Sequence, residues 1–539
     1  MISTGRLGKP RGSACARRTG VNVKRSHAIG FGVGSVLATC GVWLAGVGTA
    51  RGDNPRREAE IRVGGGQAIV AVRRGPAASP AQDGVSAGAV TYPHPRPRLA
   101  GFSPLVAITT SNKKRSPFDD SPYEHMLEST YAGQRINPFP EADYVIGFLD
   151  SGAVVDLASD FYGLVLGLTG PYLTTNTIPI GGVGGTVQAL ISQPVGFFAA
   201  GFSAINGSGD LNFAAVKGHS NVSVVVAPDL ACGNGEELTA VVGTPLLAFY
   251  NSVIRVDSPA RVIYDGRAFL SPSVQIQSPS APLPSFPRMF AMEVGGLSPV
   301  TTASFFPDFE DLETPFFPTM LSLMSASLPT GAVFFANVFL RQGPASPDNP
   351  LTTARLMVDT GAQSSIISPA MAANLSLPIE PDFLVDACGV GGLVENIPGY
   401  YVDYVKINAL GGALEFSRVP FIVLDLGSPE GGSLDGILGM NFFWNRNVIF
   451  QPSLTGSSFF HVSDPVPFAA PDFDLDLHVD SPDWGIQNAC FTGPGGIGIG
   501  PECEHTDLDG DGDVDLADFS ALQRCFSGPL ELANAACGH

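Results

Sequence analysis

The sequence predicts a mainly β protein with two homologous lobes and a small C-terminal module built on acidic loops. Three observations carry that expectation. Across 539 residues, 64 Gly and 45 Pro mark many turns and short strands. A long stretch in the middle of the chain is duplicated, and a second, shorter duplication occupies the C-terminus. The length exceeds what one hydrophobic core holds, while 44% apolar and 15% charged residues supply material for several.

The first element is a targeting segment. Residues 1–27 carry Arg6, Lys9, Arg11, Arg17, Arg18, Lys24 and Arg25 without one acid, and the apolar run 28–50 ends in Gly48-Thr49-Ala50. A basic start, an apolar middle and small residues at the end form a secretory signal, so residues 1–50 are expected to be removed on export. The alternative that its length allows is a retained anchor. Residues 51–100, with GPAASPAQDG and YPHPRPRLAG, are expected to be a flexible leader.

Removal of residues 1–50 takes away seven basic residues and no acid, moving the formal charge from −20 to −27. Such a charge repels nucleic acid and anionic lipid and suits a secreted or cell-surface protein, or one that binds divalent cations. No nucleic-acid partner is expected, and no membrane contact beyond the export signal. Six cysteines lie beyond the signal, at 232, 388, 490, 503, 525 and 537. An oxidising compartment permits disulfides among them. The tail spacing suggests Cys490–Cys503 and Cys525–Cys537. For Cys232 and Cys388 a pair is possible, with a buried free thiol as the default.

The larger duplication pairs YVIGFLDSGAVVDL around Asp150 with ARLMVDTGAQSSII around Asp359. It continues with GGVGGTV at 181–187 against CGVGGLV at 388–394. It closes on the apolar-apolar-Gly segments at Gly243 and Gly439. From acid to Gly-Val-Gly-Gly run the spacing is 32 against 30 residues, and from acid to later glycine 93 against 80. Each copy reads as a buried strand delivering an acid into a tight turn, then further short strands. This gives a first lobe at 101–270, a connector rich in Pro, Ser and Phe at 271–330, and a second lobe at 331–463.

One acid per homologous lobe suits hydrolysis. If one carboxylate takes a proton from water while a protonated partner polarises the carbonyl, an amide is cleaved without a covalent intermediate. Two carboxyls packed together cannot both ionise, and the aspartic proteases are the standard instance of such a pair. Asp150 and Asp359 are therefore the candidate catalytic residues. Gly152 and Gly361 let the backbone turn tightly beside them. Ser151 and Thr360 supply hydroxyls able to bond across the pseudo-twofold axis and hold the acids at fixed separation. Eight histidines show no zinc-type spacing, and no nucleophile-His-acid set is legible in the residue order.

Asp-Ser-Gly-Ala and Asp-Thr-Gly-Ala, each followed by an apolar-apolar-Gly segment, resemble the aspartic peptidase signature, with retropepsins as the closer match. The chain resembles two retropepsin subunits fused in tandem, over roughly 140–260 and 331–455. The resemblance implies two β-barrel lobes in a pseudo-twofold bilobal body and peptide-bond hydrolysis by Asp150 and Asp359. It also implies flaps at Gly182, Val183, Gly184 and Gly185 and at Gly389, Val390, Gly391 and Gly392, acting on a peptide or protein substrate. The first lobe departs from a minimal retropepsin by a longer segment between flap and Gly243.

The smaller duplication aligns 472–494 with 507–529 at a constant offset of 35. Its second copy places Asp507, Asp509, Asp511, Asp513, Asp515 and Asp518 at loop positions 1, 3, 5, 7, 9 and 12, with Gly512 sixth, the pattern of an oxygen-lined Ca2+ loop. Residues 464–539 resemble a dockerin type I module. That resemblance implies a small α-helical, calcium-dependent fold and a cohesin-like docking partner. In the first copy Leu477 and His478 replace the expected glycine and acid, so Asp472, Asp474, Asp476, Asp480 and Asp483 are expected to bind calcium weakly or not at all. The competing reading of the whole chain is a non-catalytic surface or scaffold protein that keeps the peptidase fold and acts through its tail.

Overall fold

The computed structural model describes residues 61–62, 68–74, 93–111, 130–131, 134–135, 144–168, 170–193, 195–204, 216–228, 239–264, 267–295, 331–427, 433–454, 456–473, 478–496, 499, 503–528 and 533–538. The expected signal segment and residues 296–330 of the connector lie outside these. The protein is mainly β, as its turn-rich composition predicts.

Each lobe is wired around the strand that runs into its acid. Val145–Leu149 pairs antiparallel with Leu105–Ser111 and parallel with Ala240–Val242, placing Val241 opposite Phe148 and Val242 opposite Leu149. Ala240–Val242 pairs antiparallel with Leu157–Ser159, itself parallel to Val225–Ala227. The second lobe repeats every step. Thr352–Val358 lies antiparallel to Val333–Arg341 and parallel to Gly436–Leu438, with Ile437 opposite Met357 and Leu438 opposite Val358. Gly436–Leu438 is antiparallel to Ile366–Ile367, which is parallel to Leu414–Val423. These strands are short apolar runs because they are covered on both faces, and Leu149, Val242, Val358 and Leu438 are buried. A short helix begins ten residues after each acid, Asp160–Val165 capped by Ser159 and Pro369–Asn374 capped by Ser368.

The two lobes share a sheet. Asn251–Tyr264 leaves the first lobe and pairs with Arg446–Gln451 of the second, while Arg267–Gln277 folds back upon it. Arg288–Gly295 bridges Ser458–Pro465 and Val333–Arg341. Part of the stretch expected as connector is therefore strand. Its Ser-Pro-rich composition obscures the alternation of buried Val274 and Ile276 with exposed Gln275. One continuous apolar cluster runs through both lobes, from Val106 through Leu246 and Phe334 to Phe460.

The leader also contributes strands. Ile61–Arg62 runs parallel to Leu173–Gly182, and Ala68–Arg74 runs antiparallel to Phe383–Gly389. Further on, Arg98 donates from Nη1 to Phe473 O at 2.9 Å and lies 4.3 Å over the Trp444 ring, and Arg96 pairs with Glu504. Residues expected to be flexible thus tie the second lobe to the tail. Their arginines find an acid, an aromatic face and a carbonyl, partners that lie hundreds of residues away and leave no local signal.

The tail keeps its own twofold relation. Helices Ser481–Ala489 and Leu516–Cys525 each begin with a capping box, Asp480 with Asp483 and Asp515 with Asp518. Buried Val479 accepts at its carbonyl from Ser527 N and Gly528 N, and buried Val514 accepts from Thr492 N and Gly493 N, the same contacts at the offset of 35. Trp484 packs on Phe519 at 4.4 Å between centroids. Disulfides Cys490–Cys503 and Cys525–Cys537 close the module. The free-thiol default for Cys388 is overturned: this cysteine is disulfide-bonded. Its partner lies outside the described residues, and a pairing made by tertiary approach is invisible in the spacing of the two lobes. Among the described residues no helix is long and apolar enough to cross a membrane.

Candidate active site

Asp150 and Asp359 sit at equivalent points of the two lobes. Asp150 N donates to Val242 O at 3.0 Å and Asp359 N to Leu438 O at 3.1 Å, so each acid is anchored to the apolar strand closing its own repeat. Asp150 Oδ1 accepts from Gly152 N at 2.8 Å and Ala153 N at 2.9 Å. Asp359 Oδ1 accepts from Gly361 N at 2.8 Å and Ala362 N at 3.1 Å.

The hydroxyls next to the acids lock the lobes together. Ser151 Oγ donates to Val358 O at 2.9 Å and accepts from Thr360 N at 3.0 Å. Thr360 Oγ1 donates to Leu149 O at 2.8 Å and accepts from Ser151 N at 3.0 Å. Four reciprocal bonds, each buried, thus bind the strand end of one lobe to the turn of the other. Neutral buried hydrogen bonds of this kind contribute about 1 kcal/mol each to stability. Their larger effect is geometric, because they fix the separation of the acids.

The glycines are required by close approach. A Cβ on Gly152 falls 2.5 Å from Asp359 Cγ, and one on Gly361 falls 2.5 Å from Asp150 Cγ. Each turn is therefore packed on the opposite carboxyl. Asp359 Oδ2 is buried, and the Asp359 carboxyl faces the Asp150 side chain and the Gly152 turn. Burial and the Asp359 charge push the Asp150 carboxyl well above the usual carboxylate range, and burial also raises Asp359. Both residues are 0% exposed.

The Gly-Val-Gly-Gly runs are hairpin tips over this pair. Leu173–Gly182 and Gly185–Ser192 close on Gly182 opposite Gly185, and Phe383–Gly389 and Gly392–Ile407 close on Gly389 opposite Gly392. Gly185, Gly391 and Gly392 hold positive φ, a conformation that glycine adopts without steric cost. The tips meet: Gly184 N donates to Val390 O at 2.8 Å, and Gly184 and Gly391 leave each other no room for a Cβ. Val183 and Val390 are buried in the apolar cluster that contains Ala153, Val154 and Ala362.

Residues 348–442 match the aspartyl protease family. The matched segment holds Asp359, Thr360, Gly361, the second flap tip and Gly439, and it supports an aspartic peptidase. A solved aspartic proteinase from Irpex lacteus overlays with a TM-score of 0.30 at 11% identity, covering 68% of this chain and 98% of that one. No curated protein matches the sequence.

The six tail acids lie in two groups, Asp507 with Asp509 and Asp511, and Asp513 with Asp515 and Asp518, the ligand atoms within each lying inside 4.8 Å of one another. Gly510 and Gly512 take positive φ where the loop turns. Asp507 accepts from Gly510 N and Gly512 N, and Asp518 from Leu508 N, Asp509 N and Asp515 N. The Asp507 and Asp509 carboxyls are raised, first by desolvation and then by neighbouring acids such as Asp518. An all-oxygen set crowded by its own charge fits a hard cation such as Ca2+. In the first copy Asp472 and Asp483 are buried, while 474–477 lie outside the described residues.

Two residues of the core of the site were not singled out from sequence. Asp156 and Ser365 stand six residues after Asp150 and Asp359, and each accepts the N–H of the closing glycine: Gly243 to Asp156 Oδ1 at 2.8 Å, and Gly439 to Ser365 Oγ at 2.9 Å. A residue-by-residue alignment of the two copies is the signal that finds them.

Proposed function

We propose that the protein is an exported aspartic endopeptidase that hydrolyses peptide bonds with a water-activating pair, Asp150 and Asp359, at the lobe interface. The observation that carries this reading is the reciprocal Ser151–Thr360 lock. It sets two carboxyls face to face in a desolvated place where only one of them ionises at the working pH. Water bound between them gives a proton to the ionised carboxyl as its oxygen attacks the scissile carbonyl carbon. The protonated carboxyl gives its proton to the carbonyl oxygen. The neutral gem-diol then collapses: a hydroxyl proton returns to the dyad, a dyad proton passes to the departing nitrogen, and the C–N bond breaks. Paired acid and base action of this kind supplies about 10²–10⁴-fold. Closure of the flap tips would exclude bulk water and strengthen each of these interactions.

The direct test is incubation of the chain with a mixed peptide library across pH. Internal cleavage blocked by a statine-type transition-state mimic is expected, and no cleavage at any pH would contradict the reading.

The tail acids Asp507, Asp509, Asp511, Asp513, Asp515 and Asp518 would hold a structural Ca2+ in a module resembling dockerin, with a cohesin-like protein as its docking partner. Calcium supplies there the positive charge that the crowded acids lack. Saturating calcium is expected to raise the Tm of the tail transition by about 10 °C, the result of a ligand at ~100 times its Kd acting on a small domain. Asp507→Asn combined with Asp511→Asn is expected to abolish that shift in scanning calorimetry.

A further inference from the structure

Asp156 is buried, and among the described residues its side chain has one hydrogen-bond partner, the Gly243 N–H at Oδ1, and none at Oδ2. Its counterpart shows what is missing. Ser365 Oγ accepts from Gly439 N and donates to Asn441 Oδ1 at 2.7 Å, so both of its roles are filled. In the first lobe the place of Asn441 is taken by Pro245, which offers no side-chain acceptor or donor.

The position of Asp156 gives it a purpose. Asp150 N is held by Val242 O, Gly243 N by Asp156 Oδ1, and Thr244 N by Ala153 O at 2.8 Å. Thr244 Oγ1 also donates to Ala153 O at 3.0 Å, so the loop 150–156 and the strand end 242–244 are laced by four bonds, and the Asp156 bond is the one that holds Gly243. We propose that Asp156 is a positioning residue of the first lobe that works in its neutral form, holding the Gly243 N–H and through it the strand end against which Asp150 is set.

The neutral form follows from its surroundings. The elements packed around it, Leu157–Ser159, Val225–Ala227, Ala240–Val242 and Thr244–Leu247, contain no titratable side chain. Asp150, in the same loop, and Asp359, across the interface, are acids and offer no counter-charge. A buried carboxylate without a counter-charge is costly, so the group keeps its proton. In keeping with this, burial pushes its pKa up to about 8, opposed only by the Gly243 N–H. An ordinary unfolded aspartate titrates near ~3.9. The stability that the neutral group allows is therefore complete below pH ~4, declines as pH rises, and is lost by about pH 8.

This inference rests on the peptidase reading for its purpose, and its test separates the two. Thermal unfolding of the full chain is compared with Asp156→Asn from pH 4 to 9; the variant keeps an acceptor for Gly243 and cannot ionise. The Tm of the variant relative to wild type is expected to climb by about 5 °C or more between pH 4 and 8 and then level off. The dyad contributes equally to both proteins and cancels. A difference independent of pH would overturn the proposal. In peptide cleavage at acid pH, Asp156→Ala is expected to lower kcat by about tenfold with little change in KM, since small misplacements of a reacting group act on kcat. Asp156→Asn is expected to recover most of that loss. Equal impairment of the two variants would also overturn it. Should no form of the protein cleave peptide, the peptidase reading fails and the thermal comparison still decides whether Asp156 is held neutral.

Discussion

Asp150→Asn and Asp359→Asn are each expected to lower kcat for peptide cleavage by about 10³-fold or more, because each removes one of the two proton-transfer partners. The fold is expected to survive. An asparagine oxygen still accepts from Gly152 N and Ala153 N at position 150, or from Gly361 N and Ala362 N at position 359. Stability should even rise at neutral pH. Both acids are raised above the ordinary range by burial, with the opposite carboxyl adding to the rise at Asp150. A raised acid contributes its full stability below pH ~4 and loses it as pH climbs through the folded value. Replacing either one by asparagine removes that loss, so Tm at pH 7 is expected to exceed that of wild type while activity disappears. Unchanged kcat in either variant, measured with a fluorogenic peptide, would remove the residue from the chemistry.

The second large effect is expected from one methyl group. Gly152→Ala and Gly361→Ala place a Cβ 2.5 Å from the opposite acid's Cγ. The carboxyls have little freedom to yield, since each is held by two backbone N–H groups of its own turn. Either substitution therefore forces the acids apart or opens the lobe interface. A kcat loss of about 10²-fold is expected from the displacement, with about 1–3 kcal/mol of destabilisation from overpacking. Gly485 supplies the opposite case. It lies within the helix Ser481–Ala489 and nothing stands within 4 Å of its Cβ position. Gly485→Ala is expected to stabilise the tail by about 0.5–1 kcal/mol. Denaturant unfolding and kcat measured on the three variants check the contrast.

Much of this site is legible in the sequence because the chain contains its own comparison. Two copies of an apolar run ending in Asp-[Ser/Thr]-Gly-Ala fixed the pseudo-twofold relation, and the matched wiring of Val145–Leu149 and Thr352–Val358 follows from it. The hairpin tips were legible for the same reason: only glycines accept the positive φ at Gly185, Gly391 and Gly392. The tail duplication has its structural counterpart in the equal contacts of Val479 and Val514.

What stayed hidden depends on residues meeting across long separations. The pairing of Asn251–Tyr264 with Arg446–Gln451 joins the lobes without a local signature, and of the strands beside it only 271–277 and Arg288–Gly295 fall in the stretch expected as connector. Arg96 and Arg98 looked like charges in a flexible leader because Glu504 and Trp444 lie far along the chain. Asp156 carries no signal of its own in the sequence. Its burial is a property of the lobe interior, and only the contrast with Ser365 at the same offset exposes it.

The central claim is that Asp150 and Asp359 hold one proton between them. Carboxyl ¹³C NMR of aspartate-labelled protein, titrated from pH 3 to 9 beside Asp150→Asn and Asp359→Asn forms, measures this directly. Two coupled titrations are expected, one of them well above the ordinary aspartate range near ~3.9. Each should collapse to a single uncoupled step when the other acid is replaced. Two independent carboxyls, each titrating in the ordinary range and indifferent to loss of the other, would contradict it.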